Sequence, residues 1–184
     1  MRNLIFAINL TLDGCCDHTK GGGGEEVHEY FTNLLRDVDV VVYGRKTYQL
    51  MVPFWPEVAK NHSGQTKAMN DFAQAFDSLN RVVFSRTLDT AEEKTRIVRT
   101  DLQDEILKLK QEPGKKILTG GVSLPSQLIE LGLVDEYLFV VHPVVVGEGR
   151  RLLDDVSLPQ KLELNLVESK VFNSGGVALR YLKQ

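Results

Sequence analysis

Cysteine is scarce: two in 184 residues, adjacent at Cys15 and Cys16. Neighbouring cysteines are awkward to bridge, and free thiols suit a reducing compartment. A zinc site wants spaced ligands with others at hand, and the close histidine is His18 alone, so no metal is expected. An excess of positive charge is missing as well. The formal net charge is −3, which argues against a general binder of nucleic acid or membrane surfaces. Basic groups are local instead, at Arg45 and Lys46, at Arg86, and at Arg150 and Arg151. Long apolar runs are also lacking. Asn9 and Asp13 interrupt the apolar start, so no signal peptide is expected, and nothing approaches the length of a membrane span. A cytoplasmic protein is the expectation. No internal repeat and no linker divides the chain, which predicts one domain over residues 1–184.

What is present alternates between strand and helix. Apolar runs predict strands at 4–12, 40–43, 81–85, 96–99, 116–119 and 136–146. Helical spacing predicts helices at 27–36, 66–76 and 122–131, and Asp101 caps one reaching Lys110. Val27, Tyr30, Phe31, Leu34 and Leu35 form one core-facing stripe; Met69, Phe72, Ala73 and Phe76 form another. Pro53 and Pro56 are expected to break the chain around Phe54 and Trp55. Segments 161–172 and 177–182 read as a hairpin across 173–176. The expected class is α/β, with a mainly parallel sheet flanked by helices and an antiparallel hairpin at the C-terminal end.

Two strand-to-helix turns carry chemistry. The strand 116–119 passes through Gly120 and Gly121 into a helix near Val122. Such a turn exposes backbone N–H groups, the helix dipole adds partial positive charge, and the glycines permit close approach, so an anion such as phosphate binds well. Tight packing alone can also produce this pattern. At the second turn Val40, Val41 and Val42 suggest a strand buried on both faces. Gly44 ends it, and Arg45, Lys46 and Thr47 open a helix. Two cations at that end are misplaced for stability, a conflict that a bound phosphate relieves; a solvated basic corner is the plainer alternative. Ligands of open α/β sheets lie beyond the carboxyl ends of the parallel strands. That rule gathers 9–14, 44–47, 85–86 and 119–123 on one rim.

The segments NLTLDG (9–14), YGRKTY (43–48), VFSR (83–86), TGG (119–121), LVDEY (133–137) and PVVVGEG (143–149) together resemble the dihydrofolate reductase superfamily. Within it, the chain is most similar to the reductase domain of the bacterial riboflavin-biosynthesis deaminase-reductase and its stand-alone relatives. The resemblance spans nearly the whole chain and implies a dihydrofolate reductase-like three-layer fold and NADPH as cofactor. It implies that Gly44, Arg45, Lys46 and Thr47 hold cofactor phosphates and that Ser85 and Arg86 meet the 2′-phosphate. Thr119, Gly120, Gly121, Val122 and Ser123 would cradle the pyrophosphate, with Ala7 and Asn9 beside the nicotinamide. It also implies a cis peptide between Gly120 and Gly121.

Hydride transfer needs an oriented cofactor and a proton route. Dihydrofolate reductases carry an acidic residue where this chain has His28, with Glu29 one position later, so the folate assignment is weakened. His28 reads as a helix-surface histidine or a proton donor. Asp13, in a tripeptide shared with the riboflavin-type reductases, reads as a catalytic or substrate contact together with Gly14, or as part of an Asp-Gly turn. Gly149 and Arg150 are candidates for a substrate phosphate, with solvated arginine as the alternative. The run of four glycines at 21–24 reads as a flexible loop that could act as a lid. The expected function is an NADPH-dependent reductase of a small heterocycle, similar to 5-amino-6-(5-phosphoribosylamino)uracil reductase. A dihydrofolate or pterin reductase and a non-catalytic nucleotide-binding domain remain alternatives. A homodimer is expected, because residues 137–146 are strongly apolar for a strand near a sheet edge and the resembled relatives tend to pair.

Overall fold

A computed structural model describes residues 1–154, 156–158 and 160–184. In chain order the elements are β1 (Leu4–Thr11), α1 (Glu25–Arg36), β2 (Val38–Gly44), α2 (Arg45–Met51), α3 (Trp55–Asn61), α4 (Lys67–Asp77) and β3 (Asn80–Phe84). They continue with β4 (Thr95–Val98), α5 (Leu102–Gln111), β5 (Lys116–Thr119), α6 (Ser123–Glu130), β6 (Glu136–His142), β7 (Leu164–Val171) and β8 (Val177–Lys183). The sheet order is β4-β3-β2-β5-β1-β6-β8-β7. β1 with β6, β2 with β3, and β3 with β4 are parallel pairs, and β8 is antiparallel to both β6 and β7. The chain divides into two compact units, residues 1–2 with 23–118, and residues 3–22 with 119–184.

In the first unit, Val40, Val41 and Val42 are buried as the unbroken apolar run implies. α1 lies against α4 and α4 against α3, burying Val27, Tyr30 and Leu35 from one helix and Phe72, Ala73 and Phe76 from the other. Thr66 caps α4 by accepting the Met69 N–H at 3.2 Å, and Asp101 caps α5 by accepting that of Asp104 at 3.1 Å. The expected break falls at the turn over 52–54, between α2 and α3, with Pro56 on its far side. That proline sits in the first turn of α3, where its missing N–H costs nothing and its fixed φ suits the helix.

In the second unit, β1 and β6 align from Ile5 opposite Glu136 to Thr11 opposite His142. Phe6 meets Tyr137 edge-on at 6.4 Å in a core that includes Leu4, Ile5, Leu138 and Val140. β6 stops at His142, short of the expected Val146. Pro143 has no N–H to continue the ladder, and the Val144 N–H turns back to the His142 carbonyl at 2.8 Å. Nor is β6 an edge strand. It lies between β1 and β8, and β7 ends the sheet, which removes the ground on which residues 137–146 implied a dimer.

Glu136 is 1% exposed. Its Oε2 accepts from Arg180 Nε and Nη2 at 3.1 and 2.6 Å, and its Oε1 accepts from Asn3 Nδ2 at 2.9 Å. Glu136→Ala would leave the guanidinium and the amide without that acceptor. The expected loss is about 3 kcal/mol, near the low end for a broken buried pair because Arg180 keeps solvent contact. Urea unfolding measures it, and a loss below about 0.5 kcal/mol, the scale of ordinary surface substitutions, would contradict this placement.

Candidate functional site

The first unit puts its basic turn at the carboxyl ends of β2 and β3, where Gly44 is registered against Phe84. Arg45 and Lys46 are exposed in the first turn of α2. No acidic residue shares that turn, and Gly44 offers no side-chain cap. Arg45 Nη1 donates to Gln49 Oε1 at 3.1 Å, while Tyr48 is buried and its hydroxyl accepts the Glu92 N–H at 2.9 Å. Tyr48 thus anchors the helix that displays the cations. Ser85 continues β3, and its buried hydroxyl accepts the N–H groups of Thr87 and Leu88 at 3.3 and 3.0 Å. That serine builds the turn carrying the exposed Arg86.

His28 is half-buried on α1. Its ring centre lies 5.8 Å from those of Trp55 and Phe72, which are themselves 4.6 Å apart, and Phe54 stands edge-on to Trp55 at 4.9 Å. Burial among these rings pulls the His28 pKa below its ordinary value, because an imidazolium is poorly solvated there. Glu29, one residue on, is exposed. The aromatic residues were visible in the sequence, but their packing against α1 was not.

In the second unit the Asp-Gly turn forms, closed by the Gly14 N–H on the Thr11 carbonyl at 2.9 Å, with Gly14 at a φ of 81°. The Asp13 carboxylate accepts the Thr11 hydroxyl at 2.6 Å, the Gly147 N–H at 2.8 Å and the Val146 N–H at 3.3 Å. These bonds, the Thr11 hydroxyl foremost, lower its pKa to about 2, since they favour the charged form. Asp13 is therefore ionised at neutral pH and clasps the loop after β6.

His142 is a residue the sequence reading missed. It is 4% exposed, and its Nε2 lies 3.0 Å from Asn9 Oδ1. An amide oxygen only accepts, so Nε2 is the donor and the Asn9 NH₂ is left to face elsewhere. A Cβ on Gly22 would come within 3.1 Å of His142 Nδ1, and one on Gly21 within 3.6 Å of the same ring; at Gly23 and Gly24 a Cβ would meet nothing within 4 Å. Close packing on a histidine thus accounts for Gly22, whereas a Cβ at Gly21 would make ordinary contact. Burial lowers the His142 pKa too.

At the other glycine turn, Gly121 takes a φ of 87° and every described peptide bond is trans, Gly120–Gly121 included. The expected cis bond is absent: a left-handed glycine already redirects the chain. Thr119 and Ala7 are buried, Val122 is half-buried, and Ser123 is exposed at the start of α6. Arg150 Nη1 donates to Ser123 Oγ at 3.2 Å, which brings a substrate candidate onto a cofactor candidate. Cys16 holds the Arg150 carbonyl through its N–H at 2.9 Å and its thiol at 3.0 Å. Gly149, at a φ of 107°, passes so near Cys15 that a Cβ there would lie 2.6 Å from its Sγ. Both cysteines are free. Among the described residues, no group of three or more His, Cys, Asp or Glu side chains is placed to hold a metal, and no helix is long and apolar enough to cross a membrane.

The mainly parallel sheet with its antiparallel hairpin, and the two glycine-bearing strand-to-helix turns, define a dihydrofolate reductase-like class. The chain belongs to the RibD C-terminal domain family, whose family model matches residues 2–178. It is 35% identical over 187 residues to the uncharacterized protein YyaP of Bacillus subtilis, covering 98% of this chain and 94% of that protein. Among solved structures it resembles a Shewanella sp. PV-4 protein assigned provisionally to riboflavin biosynthesis (TM-score 0.75, 22% identity, 100% of this chain and 99% of that one). It also resembles RibD of Acinetobacter baumannii (TM-score 0.65, 17% identity), with all of this chain matching 58% of the longer one. A dihydrofolate reductase from Enterococcus faecalis complexed with NADP(H) matches at a TM-score of 0.64 and 13% identity, covering 99% of this chain and 96% of that one. These structural likenesses establish the fold.

Two acid-side outcomes follow from the geometry. The stabilisation that Asp13 supplies is present above its ordinary pKa of 3.8 and is lost as pH falls through about 2. Asp13→Asn should be less stable at neutral pH and should lack that part of the acid sensitivity. Urea midpoints from about pH 5 to about pH 2 measure both effects, and identical pH profiles would contradict the clasp. For His28 and His142 burial disfavours the charged form, so protonating them costs stability as pH drops below the ordinary histidine value of about 6.5. Their ring resonances should titrate with midpoints below that value, and a midpoint above it would contradict their placement.

Proposed function

We propose that this chain is an NADPH-dependent reductase of a small heterocycle, similar to the 5-amino-6-(5-phosphoribosylamino)uracil reductases of riboflavin biosynthesis. The observation that carries the reading is the Gly120–Gly121 turn. It combines a left-handed glycine with the start of α6 and a serine that receives Arg150. Backbone N–H groups and the Ser123 hydroxyl are donors that a dinucleotide pyrophosphate requires, and the Arg150 guanidinium beside them suits a substrate phosphate. These residues fit a dinucleotide cofactor, and NADPH when bound supplies the hydride.

The chain's own residues then have distinct work. Gly120, Gly121, Val122 and Ser123 hold the pyrophosphate, while Lys46 and Thr47 neutralise phosphate charge and Arg45 and Arg86 both meet the 2′-phosphate. The Asn9 NH₂, oriented by His142, is a donor of the kind that a carboxamide oxygen accepts. Arg150 and Gly149 serve a substrate phosphate, and ionised Asp13 can accept a hydrogen bond from the substrate. His28, neutral among aromatic rings, cannot offer a pterin the charge pairing that a carboxylate gives. That favours the uracil-type substrate over dihydrofolate. Free Cys15 and Cys16 go with a cytoplasmic, reducing setting.

NADPH consumption with the phosphoribosylaminouracil, and not with dihydrofolate, is the expected result. Turnover with dihydrofolate alone would favour the pterin reading, and tight NADPH binding without turnover on either would favour a non-catalytic nucleotide-binding domain. Arg45→Ala and Arg86→Ala should each weaken NADPH by about tenfold or more while changing NADH little, since a hydrogen bond to a charged group is worth about 1.5–3 kcal/mol. Calorimetric titration measures this, and equal losses for both cofactors would overturn the assignment of the 2′-phosphate to these arginines.

A further inference from the structure

His142 ends β6 with its ring buried. The residues before it, Tyr137 to Val141, are all apolar, and an apolar side chain would continue the run without the cost of burying an imidazole. Nor does its partner need it. Asn9 is exposed, and water satisfies an exposed amide about as well as a protein group does. The bond between His142 Nε2 and Asn9 Oδ1, at 3.0 Å, is therefore a poor stability device. What it does is fix a direction.

A side-chain amide carries an acceptor on one side and donors on the other, and an unrestrained one turns over to suit whichever group approaches. With Oδ1 held by the Nε2–H, Asn9 offers a ligand N–H alone. The ring is held in its turn. Asn9 and Thr11 share one face of β1, and Thr11 stands opposite His142, so the imidazole reaches Asn9 diagonally across the paired strands. On its other side Gly22 comes so close that a Cβ there would lie 3.1 Å from Nδ1. Lys20, two residues before that glycine, pairs with Glu148 at 3.6 Å, which ties the same loop to the one that follows β6.

We propose that His142 is a positioning residue that fixes the polarity of Asn9, so that this point on the rim accepts a carbonyl oxygen and rejects a group that can only donate. The ligand follows from the proposed reductase reading, on which this half of the inference rests: the carbonyl is that of the cofactor carboxamide. Asn9 Nδ2 then donates to its oxygen, and the carboxamide NH₂ is turned away from β1. A carboxamide held the other way round would set its NH₂ against that of Asn9, two donors face to face with no acceptor between them. Gly22 acts in the same device by pressing the ring against Asn9.

Nitrogen NMR of the isotope-labelled, unmutated chain reads the tautomer with no ligand and no turnover, and the proton of neutral His142 should sit on Nε2. A proton on Nδ1 would leave Nε2 to accept from the Asn9 NH₂, turn Oδ1 outward and overturn the proposal. Calorimetric titration reads the consequence. His142→Phe keeps a flat ring but loses the donor, and it should weaken NADPH by about threefold to tenfold, the scale of one hydrogen bond. His142→Gln keeps an N–H donor at similar reach and should recover most of that affinity. 2′-Phospho-ADP-ribose has the phosphates of NADPH but no nicotinamide, and it should bind the unmutated chain and both variants alike. Equal weakening of both ligands by His142→Phe, the mark of a merely structural histidine, would overturn the proposal, and so would an unchanged NADPH affinity. An unmutated chain that does not bind NADPH would overturn the proposed function and the ligand named here with it, whereas NADPH binding beside the wrong tautomer would overturn the role of His142 alone.

Discussion

The parallel register of β1 and β6 is the constraint on which the rim of the second unit depends. Thr11 stands opposite His142, so the two strands end level and their following loops start side by side. The Leu12 N–H reaches the Val144 carbonyl at 2.9 Å, and Asp13 then takes the amides of Val146 and Gly147. Asn9, two residues before Thr11, lies within reach of the His142 ring. A slip of one residue would send every β1 side chain to the opposite face, and the clasp and the Asn9 contact would be lost together. The alignment is held at the other end by Glu136, Arg180 and Asn3. A structural ion pair at the amino end thus helps keep the two loops aligned at the carboxyl end.

Around that register, two features make poor sense as stability devices. Arg45 and Lys46 open α2 with no acidic neighbour in the turn, against the preference of that helix end. Arg150 is drawn onto Ser123 at the start of α6, while its backbone is pinned by Cys16. Local choices that run against stability concentrate where a protein binds something. Both features suit an anion. Asp13 carries the opposite lesson: a half-buried carboxylate that invites a ligand role also clasps the protein's own amides.

The alternation of strands and helices, the helical stripes and the cap at Asp101 were legible in the sequence because each rests on local chemistry: periodicity, a carboxylate before a helix, a glycine after a strand. What escaped depended on distant backbone. The partners of Asp13 are amides 133 and 134 positions away, and an amide N–H has no side-chain signature. His142 was hidden in an apolar run, its partner Asn9 equally far off. Pro53 and Pro56 marked the break between α2 and α3, but not that Pro56 opens the second helix, because proline both stops helices and starts them. The edge was placed at residues 137–146 since an apolar run reads the same for a central strand as for an exposed one. The exposed β7 is weakly apolar and alternates with charge, so only the sheet order reveals it.

Amide hydrogen exchange with and without NADPH tests the central assignment most directly, because it reads backbone N–H groups at the turns themselves. Slowed exchange on binding at residues 44–47 and 120–123, with 164–171 unaffected, is the expected result. Binding that leaves both turns unprotected, or protects residues elsewhere in their place, would contradict the assignment of these turns to the cofactor phosphates.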